Sequence, residues 1–163
     1  RRAGCIPIDR ARGGKAMRQI TGEIAERMAG PEGLGQLIIY PEGTRSPDGR
    51  VYKGRTGMAR IAMATGVPVI LTAMIGTRNA NPIGTTIPRP AKVRIKISEQ
   101  IDPHAWAREH GYDPASREAV RPFTDYCMQR LADMVGTQYV DVYASDVKKS
   151  LEETGEYPEG ARP

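Results

Sequence analysis

Residues Tyr40-Pro41-Glu42-Gly43-Thr44-Arg45-Ser46-Pro47-Asp48 set a carboxylate, a glycine, a hydroxyl and a guanidinium side by side, directly after the apolar run Leu37-Ile38-Ile39. A strand that ends in such a loop can hold a phosphate. Gly43 lets backbone come close, Thr44 offers a hydroxyl, and Arg45 presents a planar fork of donors that matches phosphate oxygens. Glu42 repels an anion, so its expected work is to anchor an arginine, Arg10 or Arg45, or to hold a backbone amide. The same residues, with Pro47-Asp48-Gly49 behind them, also suit a type I turn with no chemistry. A second polar cluster follows Gly4-Cys5-Ile6-Pro7-Ile8, which reads as a short strand ending in Asp9-Arg10.

The remaining reactive side chains are sparse. The histidines are His104 and His110. Asp102-Pro103-His104 reads as a helix start, with Asp102 as N-cap and Pro103 at the first helical position, which leaves His104 a structural place rather than a catalytic one. Cys5 and Cys127 have 121 residues between them and belong to no metal-binding spacing. Two reduced, packed thiols in a reducing cytosol are expected, with no metal site.

These loops need elements to position them. Met17, Ile20, Ile24 and Met28 recur at helical intervals within Lys15 to Met28, and Gly30-Pro31-Glu32-Gly33 stops the pattern. Gln36 to Tyr40 reads as a buried strand. Strand, helix, strand over residues 4 to 40 predicts a parallel, right-handed crossover, with Arg10 and Glu42 to Arg45 at the carboxyl edge where ligands collect in open αβ sheets. A small-residue helix is expected over Gly54 to Ala64 and a buried strand over Val67 to Met74. The methionines along these elements suit either an apolar groove or plain core filling. Thr77 to Pro90 is proline-rich and aperiodic, a connection or a cover.

Ala91 to Ser98 alternates, which predicts Val93, Ile95 and Ile97 facing in and Lys92, Arg94 and Lys96 facing out, as a basic ridge for anionic headgroups or as edge-strand protection. Pro114 to Val135 carries Val120, Phe123, Cys127, Leu131 and Met134 at helical spacing, with a break expected near Pro122. The fold class predicted is α/β, a mixed, largely parallel sheet flanked by helices. Residues 1–143 are expected to form one partial domain, and 144–163 a flexible acidic tail.

The chain of 163 residues is long enough for one core that buries roughly two-thirds of its unfolded surface. It opens on Arg1-Arg2 rather than methionine, and an excised piece of a longer protein is expected. No run approaches the roughly 18 apolar residues of a spanning helix. Residues 1–100 hold 17 Lys and Arg against 7 Asp and Glu, whereas 101–163 hold 7 against 12, within a formal net charge of +5. The basic half therefore expects an anionic partner. With Tyr40 and Tyr52 as its aromatics it lacks a base-stacking platform, and no zinc-finger or RNP pattern occurs, which argues against nucleic acid.

Gly4-Cys5-Ile6-Pro7-Ile8-Asp9-Arg10 followed by Tyr40-Pro41-Glu42-Gly43-Thr44-Arg45-Ser46 resembles the glycerolipid acyltransferase family, of the lysophosphatidate acyltransferase type. Lys53-Gly54 resembles the family's Phe-Lys-x-Gly segment, and Gly66-Val67-Pro68-Val69-Ile70-Leu71 its Val-Pro-Ile-Val-Pro strand, with Pro68 at the matching position. The resemblance runs from the first residue to about residue 100. It implies transfer of a fatty acyl group from acyl-CoA or an acyl-carrier thioester to a glycerol phosphate hydroxyl, lysophosphatidate to phosphatidate, with no cofactor. It implies phosphate binding by Arg10, Glu42, Gly43, Thr44, Arg45 and Lys53, and an anionic membrane surface, at its cytoplasmic face, as the setting. The family's His-x4-Asp base element, which lies upstream of the first match, is not in this chain, so no residue here is assigned a catalytic role. The alternative is a non-catalytic phospholipid- or membrane-binding module on the same scaffold.

Overall fold

The computed structural model of the protein describes residues 21–24, 26, 36–82 and 85–163. The expected strand at Gly4 to Ile8, with Cys5 and Arg10, lies outside them. Of the expected first helix, residues 21–24 and 26 are helical. Ile24 is buried with Ile61, and Leu37 and Ile39 pack against the pair.

Among the described residues the strands form two pairs. Val51–Tyr52 (β1) runs parallel to Tyr139–Val140 (β4), with Val51 opposite Tyr139 and Tyr52 opposite Val140. Val69–Ile75 (β2) runs antiparallel to Arg94–Ile101 (β3), from Val69 opposite Ile101 to Ile75 opposite Arg94. The register shifts between Ile70 and Thr72, where the Leu71 N–H donates to Ser98 Oγ at 2.9 Å. A side chain thus takes the place of a ladder bond at the bulge. Helices Gly57–Thr65 (α1), Thr77–Ala80 (α2), Pro103–Glu109 (α3), Val120–Val135 (α4) and Ala144–Thr154 (α5) complete the mixed α/β fold.

Helix α4 organises the core. Val120, Phe123, Thr124, Cys127, Met128 and Ala132 are buried along one stripe at intervals of one to four, the pattern of a helix laid on a sheet. Phe123 and Cys127 join Leu71 of β2, Ala59 and Ala62 of α1 and Trp106 of α3 in one cluster. The Thr124 hydroxyl is satisfied inside it by donating to the Val120 carbonyl at 2.7 Å. Gly54, between β1 and α1, lets the chain after β1 come close to α4, because a Cβ there would lie 2.8 Å from Met128 Sδ. Burial pushes the Cys127 thiol up to about 12, which keeps it protonated and inert.

Several expectations are corrected by this packing. Gln36 to Tyr40 is not a buried strand: it has no regular structure, Leu37 and Ile39 are half-buried, and Ile38 and Tyr40 are exposed. Residues 93 to 97 have no buried face, since Val93, Ile95 and Ile97 are exposed along with Lys92, Arg94 and Lys96. Helix α4 covers only one side of the β2–β3 ribbon, and it does so through Leu71 and Ala73. Pro122 does not break α4; it occupies the first turn, where the missing N–H has no helical partner to lose. The Thr77 to Pro90 connection contains the single turn α2, held to its far end by the Arg89 N–H donating to the Ala80 carbonyl at 2.7 Å.

Residues 144–163, expected as a mobile tail, are packed instead. Ala144, Val147 and Ala161 are buried around Tyr52 and Val140. The spacing of Ala144, Val147 and Leu151 gives α5 a narrow apolar stripe, which its acidic composition obscures. The α3 start is as expected: Asp102 accepts from the His104 and Ala105 N–H groups at 2.8 and 2.9 Å, and Pro103 stands at the first position.

Candidate functional site

The loop from Tyr40 to Asp48 is closed by its own backbone and pinned from behind. The Gly43 N–H donates to the Tyr40 carbonyl at 3.0 Å, and the Arg55 N–H donates to the Pro41 carbonyl at 2.8 Å. Gly43 has φ of 71°, left-handed backbone that a side chain would strain. Its open face lies against Arg55, whose Nε would be 3.4 Å from an added Cβ. The turn therefore exists, as the plain reading of the sequence expects, but it is a turn that gathers charge.

Glu42 points back into the fold. Its Oε1 accepts from the Tyr52 N–H at 3.5 Å, the backbone-amide role anticipated for it. Burial, opposed by that hydrogen bond, raises its pKa from 4.5 to about 7, with Asp48 adding to the rise and Lys148 opposing it. Near neutral pH the carboxyl is thus uncharged for about half of the time, which lessens the repulsion that a carboxylate would exert on a neighbouring phosphate.

Thr44 and Arg45 face outward. Thr44 Oγ1 accepts from Lys148 Nζ at 2.6 Å, so a cation from α5 sits on the central hydroxyl of the motif. Arg45 is exposed and makes no hydrogen bond or ion pair among the described residues. Lys53, expected to add positive charge, is paired with Asp141 at 2.9 Å and lies over the Tyr143 ring at 5.8 Å. Arg55 stacks on the same ring at 5.0 Å and donates to Ser145 Oγ at 3.2 Å. Pro68 is exposed just ahead of β2. At the other end of that seven-residue strand, Arg78 donates to the Pro47 carbonyl. About 20 Å of strand therefore separates Pro68 from the loop.

Behind the loop, Asp48 is gripped from several sides. It accepts from Arg50 Nε at 2.8 Å, from the Arg50 N–H at 3.0 Å and from the Tyr52 hydroxyl at 2.8 Å. Burial works against ionisation, but these bonds together hold its carboxyl below the usual range. Arg50 extends the network to the chain's end by donating to the Ala161 and Arg162 carbonyls at 2.6 and 3.2 Å. The loop is thus preorganised by β1, α5 and the residues after α5.

Both histidines are occupied elsewhere. His104 Nε2 is 2.7 Å from the Met63 carbonyl. His110 Nδ1 is 2.8 Å from the Trp106 carbonyl, with its ring stacked on Trp106 at 4.3 Å. Among the described residues no group of His, Cys, Asp and Glu could hold a metal ion. Sequence reasoning missed Arg55 and Lys148. Arg55 had a weak signal, two positions after Lys53, whereas Lys148 lies 104 positions from Thr44 in a segment read as a tail.

Comparison with known proteins finds similarity to acyltransferases over the segment that holds this loop. The Acyltransferase family model matches residues 1–75, which include Arg10, Glu42 to Arg45, Lys53 and Pro68. A 1-acyl-sn-glycerol-3-phosphate acyltransferase of Cocos nucifera is 36% identical over 73 residues, 45% of this chain and 24% of the relative. The chloroplastic enzyme BAT2 of the same name from Brassica napus is 39% identical over 66 residues, 40% and 19% of the two chains. The crystal structure of the 1-acyl-sn-glycerophosphate acyltransferase PlsC from Thermotoga maritima superposes with a TM-score of 0.54 at 31% identity, covering 78% of this chain and 46% of that one. The chain thus spans about a quarter of the length of these curated relatives and under half of the solved structure. Residues 1–75 and the fold built around them are thus similar to the glycerolipid acyltransferases.

Proposed function

We propose that this chain binds the phosphate of a glycerol phosphate acceptor during transfer of a fatty acyl group from a thioester to the acceptor's hydroxyl, with lysophosphatidate as acceptor and acyl-CoA or an acyl-carrier protein as donor. What supports the reading is Arg45: an exposed guanidinium without a protein partner among the described residues, in a loop whose Glu42, Thr44 and Asp48 side chains are held by other residues. A bidentate contact from Arg45 orients the phosphate, Thr44 adds a hydroxyl, and the part-neutral Glu42 opposes the anion less than a full carboxylate would. This chain's contribution is positioning, and its two histidines lie against the Met63 and Trp106 carbonyls rather than against the loop.

Losing a charge-assisted contact of this kind costs about 1.5–3 kcal/mol, so Arg45→Ala in the whole protein is expected to lower kcat/KM for the acceptor roughly 10- to 150-fold. Thiol release from acyl-CoA, followed across a range of lysophosphatidate concentrations, measures it. An acceptor dependence equal to wild type would remove the phosphate grip.

A second reading draws on the β2–β3 ribbon, where Met74, Ile95 and Ile97 are exposed beside Lys92, Arg94 and Lys96. An apolar surface with basic neighbours suits contact with an anionic membrane, at whose cytoplasmic face the acceptor would be met. Among the described residues no helix is long and apolar enough to cross a membrane. The two readings combine: the ribbon holds the surface while the loop takes a headgroup from it.

A further inference from the structure

We infer that Lys148, on α5 and outside the segment matched by the family model, is a second phosphate-binding residue of the acceptor site, acting through the hydroxyl of Thr44 and directly on the phosphoryl group. The inference rests on the proposed phosphate role of the Glu42 to Arg45 loop and adds a residue to it.

The geometry carries it in three steps. First, α5 cannot drift. Ala144 and Val147 are buried against Tyr52 and Val140, and Tyr143 and Ser145, at and next to the helix start, hold Arg55. Lys148 follows Val147 on the flank turned toward the loop, so its half-buried stem is fixed where its head meets Thr44 at 2.6 Å. Second, the ammonium has capacity left. It carries three N–H donors, one is given to Thr44, and it has no salt-bridge partner among the described residues. Third, the bond polarises Thr44. A hydroxyl that accepts from a cation keeps its own hydrogen free and strengthens it as a donor. Lys148 and Thr44 therefore form a short relay that ends in donors beside Arg45. Lys53, in contrast, is paired with Asp141 at 2.9 Å.

The ligand chemistry is that of a phosphate monoester, and the probe is glycerol 3-phosphate, with glycerol as uncharged control and inorganic phosphate in parallel. Titration is followed on this chain by the amide resonances of Gly43 and Thr44. Wild type should show saturable shifts with glycerol 3-phosphate and none with glycerol. Lys148→Gln should weaken binding about ten-fold or more, whereas Lys148→Arg, which keeps the charge, should stay within about three-fold. The same dependence on Lys148 is expected with inorganic phosphate, and its affinity relative to glycerol 3-phosphate tells a site for the bare phosphoryl group from one that also reads the glyceryl part. Lys148→Gln binding like wild type, while Arg45→Ala does not bind, would overturn the role of Lys148 and leave the loop's role standing. Equal weakening by Gln and Arg, with displaced loop resonances in the unliganded variants, would also overturn it, because Lys148 would then be a prop for the loop. No binding by wild type would remove both proposals.

Discussion

At the residue scale, Glu42 is the group whose behaviour differs most from its appearance. In sequence it is a carboxylate in a phosphate-binding pattern, an apparent conflict that its surroundings resolve. Its pKa in the fold, about 7, exceeds the ordinary 4.5, so the folded state holds a proton that the unfolded chain has released between these values. Its contribution to stability is therefore complete below about pH 4.5 and is lost as the pH rises through 7. Glu42→Gln mimics the protonated form and keeps an acceptor for the Tyr52 N–H. It should leave stability unchanged at pH 4.5 and raise it at pH 8 by on the order of 1–2 kcal/mol, after allowance for solvent screening of a part-exposed group. Urea midpoints of both proteins at the two pH values give the double difference. A variant less stable than wild type at pH 8 would show that the carboxylate form is the one the fold prefers.

At the element scale, what was legible in the sequence and what was not divide along one physical line. Local chemistry could be read: the Asp102–Pro103 start of α3, the small-residue helix before Gly66, and the apolar stripe of α4 all follow from neighbours within a turn. The Glu42 to Arg45 cluster was legible for the same reason. Expectations failed where a face needed a distant partner. Ile95 and Ile97 alternate with basic residues as a half-buried strand should, yet α4 covers only the other side of the ribbon. Lys148 was invisible because nothing near it announces Thr44. The uncovered ribbon carries its own prediction. Replacing both Ile95 and Ile97 by Ser should reduce co-sedimentation with vesicles containing about 30% anionic lipid several-fold, and raised salt should reduce binding of the wild type. Salt-insensitive binding, or binding by the double variant equal to wild type, would turn attention away from this surface.

At the scale of the whole molecule, the charge map and the packing describe one arrangement. The basic half carries the motif loop, and the acidic half wraps back to hold it: Asp141 takes Lys53, the Ala161 and Arg162 carbonyls take Arg50, and Val147 fills the space beside Tyr52. Net charge alone would assign the acidic segment to solvent, but its few apolar residues are spaced to cover Tyr52, the largest fully buried side chain among the described residues. Removing residues 144–163 would uncover that ring, leave two Arg50 donors without their carbonyls and release Thr44 from Lys148. Exposure of Val147's partners alone is worth about 1.5–3 kcal/mol and the lost hydrogen bonds to a charged group a similar amount, so the truncated chain should be less stable by on the order of 3–5 kcal/mol. It should also lose phosphate binding at the loop under conditions where it is still folded. Chemical denaturation of the full and truncated chains, read together with glycerol 3-phosphate titrations at low denaturant, tests both halves. A truncated chain with an unchanged midpoint would mean that α5 rests on the fold without supporting it. Lost stability with undiminished binding would mean that the loop keeps its shape without the helix that touches it.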